Sequence, residues 1–257
     1  LCYLFSAFIK NILLINNRKV GLASDISASI EGEISVYKVD YFDSLLTNEI
    51  AGKACHVGNT DVFKVDFPVL EAQSLASVHW LANHIGVSTL LIAGTKEKFI
   101  YIQYQNHGNN ASGGMMAPSG SGSLEWKDCS PAFNASLMSG MVRELSEELG
   151  VEKIVDLRTV VMGFFRWYDR ALKPEFVGLS YTPHVVTLNK EIESDFQRFG
   201  FDTLDDLGHL CAELLNSSNH RVSLPLRVSL DLLRSIIDSD EHRTKLESFL
   251  SNDYVLF

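Results

Sequence analysis

Leucine or methionine recurs at every fourth position through Leu137, Met141, Leu145 and Leu149. That spacing predicts one apolar stripe on an α-helix within residues 136–151. Asn134 and Ser136 are both suited to cap its start, and Gly150 suits the left-handed position that ends a helix. Ahead of it, Val87–Ala93 and Phe99–Gln105 are β-branched and aromatic runs joined by the polar segment 94–98, which predicts a hairpin. Behind it, Arg158–Tyr168 and Phe176–Leu188 predict two further strands around a polar turn at Asp169-Arg170. Helical spacing returns in Leu204–Leu215, Val228–Ile237 and Thr244–Leu250, with Pro225 placed in a first turn or in the loop before it. These last helices are expected to cover the sheet or to form a dimer surface.

The leading region is less patterned. Ile12–Ile15, the turn-like Asn16-Asn17 and Val20–Leu22 suggest a hairpin, and Glu33–Tyr41 alternates as another strand would. After Pro68, the spacing of Leu70, Leu75, Val78, Leu81 and Ala82 predicts a helix ending near Gly86. His79 and His84, beside this entry, are expected to be packed or surface residues and not catalysts. Asn106–Ser123 is rich in Gly, Ser and Asn and reads as a loop. The opening Leu1–Asn17 is apolar, but Lys10 and Asn11 interrupt it. It is too short to span a bilayer, has no basic start, and is taken as a strand or helix of the fold.

A chain of 257 residues can hold one large domain, or a domain with an appendage, around a substantial core. Its formal charge of −10 argues against a nucleic-acid backbone as partner, since that needs clustered Lys and Arg. Small phosphorylated ligands are compatible with it, because a bound metal inverts the local field. Cys2, Cys55, Cys129 and Cys211 are scattered, without zinc spacing. Free buried thiols fit them better than two disulfides, which points to a reducing, cytoplasmic setting.

The predicted helix 136–151 also carries chemistry. Glu144 and Glu148 lie one turn apart, with Glu147 beside them. Carboxylates so placed repel one another unless a cation sits among them, and hard divalent ions such as Mg²⁺ and Mn²⁺ prefer oxygen ligands. The bland reading of the same residues is a solvated amphipathic face.

Arg143-Glu144-Leu145-Ser146-Glu147-Glu148-Leu149-Gly150-Val151 resembles the second half of the Nudix box, whose pattern is Gly, five residues, Glu, seven residues, then Arg-Glu-U-x-Glu-Glu-x-Gly-U with U aliphatic. Every specified position of that half matches. The first half departs from the pattern: Ala135 stands where it wants Glu, and Cys129 where it wants Gly. The glycine-rich segment Ala117–Trp126 resembles the loop that leads into the box. Gly122 lies 21 positions before Arg143 (143 minus 122) instead of 14, which requires a seven-residue insertion over Trp126–Asn134. Glu125 either stands in for the missing Glu or faces solvent.

The resemblance implies an α+β protein with a Nudix-like α/β/α sandwich and a mixed sheet. Residues 1–69 would be an N-terminal α+β extension, 70–222 the Nudix-like domain, and 223–257 helices packed on it. It implies a metal-dependent hydrolase that cleaves the phosphoanhydride of a nucleoside diphosphate linked to another moiety. Glu144, Glu147 and Glu148 would hold Mg²⁺ or Mn²⁺, with Glu144 either a ligand or the base. Arg143 would brace the acids, and the catalytic set would be these four residues. Gly120 and Gly122 would cradle phosphate, while Arg166 and Trp167 would contact substrate. A further acid from Glu175, Glu191 or Glu193 could assist. The expected partner is a small nucleotide or nucleoside diphosphate derivative, with no nucleic acid, no membrane and a possible homodimer. The alternatives are a catalytically impaired nucleotide-binding or sensor module, favoured by Ala135, and an interaction protein whose acidic helix is only a solvated face.

Overall fold

Alternation along two strands decides how the larger part of the chain is layered. In the run Gly86–Ala93 (β5), Leu90 and Ile92 join one buried cluster and Leu91 and Ala93 another. In Lys98–Tyr104 (β6), Ile100 and Ile102 likewise oppose Tyr101. Successive side chains of a strand point to opposite faces, so both faces of this sheet are covered.

The computed structural model describes residues 16–26, 32–50, 54–57, 60–64, 80–104, 114–216 and 221–251. The expected hairpin partner Ile12–Ile15, the opening segment, most of the helix expected before Gly86 and the first part of the loop expected over Asn106–Ser123 lie outside them. The chain divides into two compact units, one from residues 1–86, 123–136 and 165–175, the other from 87–122, 137–164 and 176–257.

In the first unit Arg18–Leu22 (β1) pairs antiparallel with Val36–Asp40 (β2), and Thr60–Lys64 (β4) with Ala54–Val57 (β3). Val20–Leu22 is therefore a strand as expected, with β2 as its partner. Helix α1 (Tyr41–Leu46) starts at a reciprocal cap between Asp40 and Asp43. Where a helix was expected to end near Gly86, residues 82–85 are not helical but run along β1: the Leu22 N–H donates to Asn83 O at 3.1 Å and the Ile85 N–H to Val20 O at 2.8 Å. The hydroxyl of Tyr37 donates to Ala82 O at 2.8 Å.

His84 is buried in this unit, as a packed residue, with its Nδ1 unpartnered among the described residues. Burial, reinforced by Lys173, Arg170 and Lys19, holds its imidazole well below the ordinary 6.5. The folded chain thus refuses a proton that the unfolded chain accepts. This contribution to stability is present above pH 6.5 and is lost as pH falls below it toward the depressed folded value. The melting temperature should fall between pH 7 and 5, and less steeply in His84→Gln. Equal slopes in the two proteins would dismiss His84 as the source.

The second unit holds the sheet, in the order β11-β6-β5-β10-β9, with Met116–Ala117 (β7) on β6 and Gly120–Ser123 (β8) on β5. Arg158–Trp167 (β9) and Lys173–Thr182 (β10) match the two strands expected after the acidic helix, although β10 starts three residues earlier and stops at Thr182. Phe196–Phe201 (β11) is a strand that the sequence pattern did not announce. On one face lie α3 (Leu204–Asn216), α4 (Leu224–Ile237) and α5 (Asp240–Phe249), through Leu207, Cys211, Leu230, Leu233 and Phe249 among others. They cover the sheet as predicted, and Pro225 sits in the first turn of α4. The other face carries α2 (Phe133–Leu149). The result is the expected α+β architecture with helices on both faces of a mixed sheet. Cys129 and Cys211 are free thiols, and burial pushes Cys211 up to about 12. No helix among the described residues is long and apolar enough to cross a membrane.

Candidate functional site

Helix α2 positions the acids by burying its opposite side. Leu137, Met141, Leu145 and Leu149 are all at most 2% exposed, so the predicted stripe is the packed one. Gly150 has φ +61° and ends the helix in the left-handed conformation. The start differs from expectation. The helix begins at Phe133, a turn earlier than a Ser136 cap allows, and Ser136 Oγ accepts the Ser130 N–H at 2.8 Å from within the first turn.

The glycines before α2 also act otherwise than as a loop. Ser119 Oγ accepts the Leu91 N–H at 2.7 Å and donates to Tyr101 O, which ties the entry of β8 to β5 and β6. Gly120 and Gly122 then lie in β8, and neither has a positive φ. Their small size serves close approach to α2. A Cβ on Gly120 would lie 2.6 Å from Leu145 Cα, and one on Gly122 would lie 2.1 Å from the Glu144 carboxyl carbon. Gly120→Ala therefore presses on helix backbone and should cost about 1–3 kcal/mol in urea denaturation. Gly200→Ala, where a Cβ meets only the Phe99 ring at 3.4 Å, is the control, expected within about 0.5 kcal/mol of wild type. Equal stability of the two variants would remove the close-approach argument.

Arg143 braces the acids as expected. Its Nη1 donates to Glu144 Oε1 at 2.9 Å and to Glu147 Oε2 at 3.3 Å. Glu147 is exposed, while Glu144 is largely covered. Glu148 turns toward β6, where Gln103 Nε2 donates to its Oε2. Burial pushes the Glu148 carboxyl up, the Gln103 bond pulls it down, and the charges of Glu144, Glu147 and Asp195 push it up further. Three carboxylates therefore bear on Glu148, and Arg143 is engaged at the Glu144 and Glu147 end.

Such oxygen donors suit a hard divalent cation in kind and in field. As the side chains stand, no group of three or more His, Cys, Asp or Glu among the described residues is assembled to hold one. Glu144 is held by Arg143 and Glu148 by Gln103, so binding would draw their carboxylates together.

The remaining candidates fall elsewhere. Arg166 and Trp167 belong to the first unit. Trp167 is 8% exposed, lies tilted against Phe165 with ring centres 6.5 Å apart, and carries the Arg170 guanidinium 5.0 Å from its ring centre. Burial pulls the Arg166 guanidinium down while Asp25 raises it. Glu125 does not face solvent: it binds Lys19 and Lys127, each at 2.9 Å, and precedes the tight turn Trp126–Asp128. Glu175 is not a surface acid either but is buried against Lys173 at 2.8 Å. Glu191 and Glu193 are exposed. Sequence reasoning missed Gln103 and Asp195. The alternation of Tyr101 and Gln103 along β6 held the signal for Gln103, because it puts both on the face toward α2.

No family model matches this chain, and no curated protein matches it. Solved structures are similar to it at low identity. A Nudix hydrolase from Alicyclobacillus acidocaldarius is 11% identical, with 59% of this chain and 91% of that one covered and a TM-score of 0.42. RenU, a Nudix hydrolase from M. smegmatis, is 12% identical over 61% of this chain and 87% of its own, with a TM-score of 0.40. A protein of Deinococcus radiodurans is 16% identical over 68% and 90%, with a TM-score of 0.39.

Proposed function

We propose that the chain is a divalent-metal-dependent hydrolase of a phosphoanhydride in a nucleoside diphosphate linked to another group. The observation that carries the reading is the convergence of charge on Glu148: a half-buried carboxyl, pushed upward by burial and then by Glu144, Glu147 and Asp195, and held by Gln103 with no cation paired to it among the described residues. Glu147 and Glu148 would hold Mg²⁺ or Mn²⁺, with Glu144 either a further ligand or the group that takes a proton from the attacking water. A bound metal of this kind neutralises charge on phosphate oxygens and makes its water more acidic. Arg143 keeps Glu144 and Glu147 oriented by pairing with both. The narrow packing of Gly120 and Gly122 on α2 fixes β8 beside the acids. In this proposal β8 lies along the phosphates.

Phosphate release from a panel of dinucleotides and nucleotide sugars, with Mg²⁺ or Mn²⁺ and then with chelator, tests the reading. Turnover that the chelator abolishes is the expected result. The second reading, a nucleotide-binding module without turnover, rests on Ala135 in place of the box Glu. Calorimetric binding of a nucleotide without any product would replace the first reading by the second.

A further inference from the structure

Gln103 enters the acid site from the strand that faces the helix. It lies on β6, opposite Phe196 of β11 and Ala117 of β7, and is 7% exposed. Its Nε2 donates to Glu148 Oε2. That bond fixes which way round the amide sits, because the reversed amide would set one oxygen lone pair against another across an ionised carboxylate. Its Oε1 is thereby committed as an acceptor, and this atom is buried with no hydrogen-bond partner among the described residues. A buried acceptor left unmatched costs about 1–3 kcal/mol. Such an atom in a binding site awaits a donor or a cation.

The surroundings choose between the two. The charges of Glu144, Glu147 and Asp195 all bear on Glu148, the residue that Gln103 touches. The neighbouring cation, Arg143, is turned to Glu144 and Glu147. A field of that sign favours positive charge at the amide oxygen over a neutral donor, and amide carbonyls are ordinary ligands of hard divalent ions. The amide oxygen adds a neutral donor, fixed in place by the bond from Nε2, beside these acids.

We propose that Gln103 Oε1 is a direct ligand of the divalent cation at this site, seating the ion at the Glu148 end of the acidic helix. The inference rests on the metal-dependent reading above and deepens it. It gives Gln103 two tasks, orienting Glu148 through Nε2 and binding metal through Oε1.

The test is calorimetric titration of the full chain with Mn²⁺ alone, without substrate, for wild type, Gln103→Leu and Gln103→Glu, with circular dichroism confirming the fold of each. Loss of one oxygen ligand should weaken Mn²⁺ binding about tenfold in Gln103→Leu. Gln103→Glu distinguishes the two tasks, because it cannot donate to Glu148 and adds repulsion in the metal-free protein, yet restores a ligand oxygen. Binding by Gln103→Glu at least as tight as wild type is expected. Leu and Glu variants equally weak would reduce Gln103 to orientation alone and overturn the proposal, as would an unchanged affinity in Gln103→Leu. Wild type that fails to bind Mn²⁺ would overturn the metal-dependent function itself, whereas wild-type binding indifferent to Gln103 overturns only this inference.

Discussion

Glu148→Gln should lower metal-dependent turnover by at least ~100-fold while leaving the fold intact. The variant removes a charged oxygen ligand and keeps the shape, and its own amide oxygen can still accept from Gln103 Nε2 as Glu148 Oε2 does. Stability should move the other way. Burial is the first cause that raises the Glu148 carboxyl, with Glu144, Glu147 and Asp195 adding to it. A carboxyl with a raised folded value contributes stability that is fully present below its unfolded value near 4.5 and is lost as pH rises through the folded one. At neutral pH the ionised group is a burden that neutral Gln does not carry. Metal-free Glu148→Gln should melt no lower than wild type at pH 7.5 and gain less from added Mn²⁺. Wild-type turnover in the variant would end the catalytic assignment, and an unfolded variant would show that Glu148 is structural instead.

Lys173→Met should cost about 3–5 kcal/mol, the largest loss of stability expected from any single change discussed for this chain. The Lys173 and Glu175 side chains are 2% and 4% exposed, and Nζ donates to Oε2 at 2.8 Å. Gly86 closes over them so tightly that a Cβ there would lie 1.7 Å from Glu175 Oε2 and 2.3 Å from Lys173 Nζ. Burial pulls the Lys173 amine below its ordinary value, against the pull of Glu175. Removing one partner leaves the other charge in a place that water cannot easily reach. Replacing both removes that penalty, so Lys173→Met with Glu175→Leu should recover most of the loss. Urea denaturation of the single and double variants measures this. A double variant as unstable as the single one would mean that packing, and not the charge, was lost.

The acidic helix was legible because its two signals are local. A fourfold apolar repeat marks the buried side, and Gly150 marks the end. The central strands were legible for the same reason: β5 is buried on both faces, carries no charged residue and ends in the apolar run Leu90–Ala93. What escaped was long-range. Gln103 lies 45 residues from Glu148 and sits in an aromatic run as an ordinary polar residue. Alternation with Tyr101 puts it on the face toward α2, but its meeting with Glu148 depends on how that helix packs on β6. Strand β11 is half-exposed at one end of the sheet order, so no clean alternation of apolar and polar positions marked it, and Asp195 just before it went unnoticed. Glu175 misled in the opposite sense, because nothing in a single sequence distinguishes a solvated acid from one buried against Lys173. The glycines of β8 illustrate a third limit. Their presence was plain, but glycine serves close packing as well as unusual backbone angles, and what decides between them is that a Cβ on Gly120 would lie only 2.6 Å from Leu145 Cα.

The two faces of the sheet close at different moments of synthesis. The cluster beneath α2 draws on residues from Leu91 to Val186, whereas the cluster beneath α3, α4 and α5 needs every part from Leu90 to Leu250. A ribosome moving at roughly 5–20 residues per second therefore releases the acid-bearing side roughly 3–13 s before the other side has its cover. In that interval Leu90, Ile92, Ile100 and Ile102 stand as an open apolar surface on strands already paired. A nascent chain at that stage would offer this aliphatic surface to solvent until Leu246, Phe249 and Leu250 arrive to complete the cover.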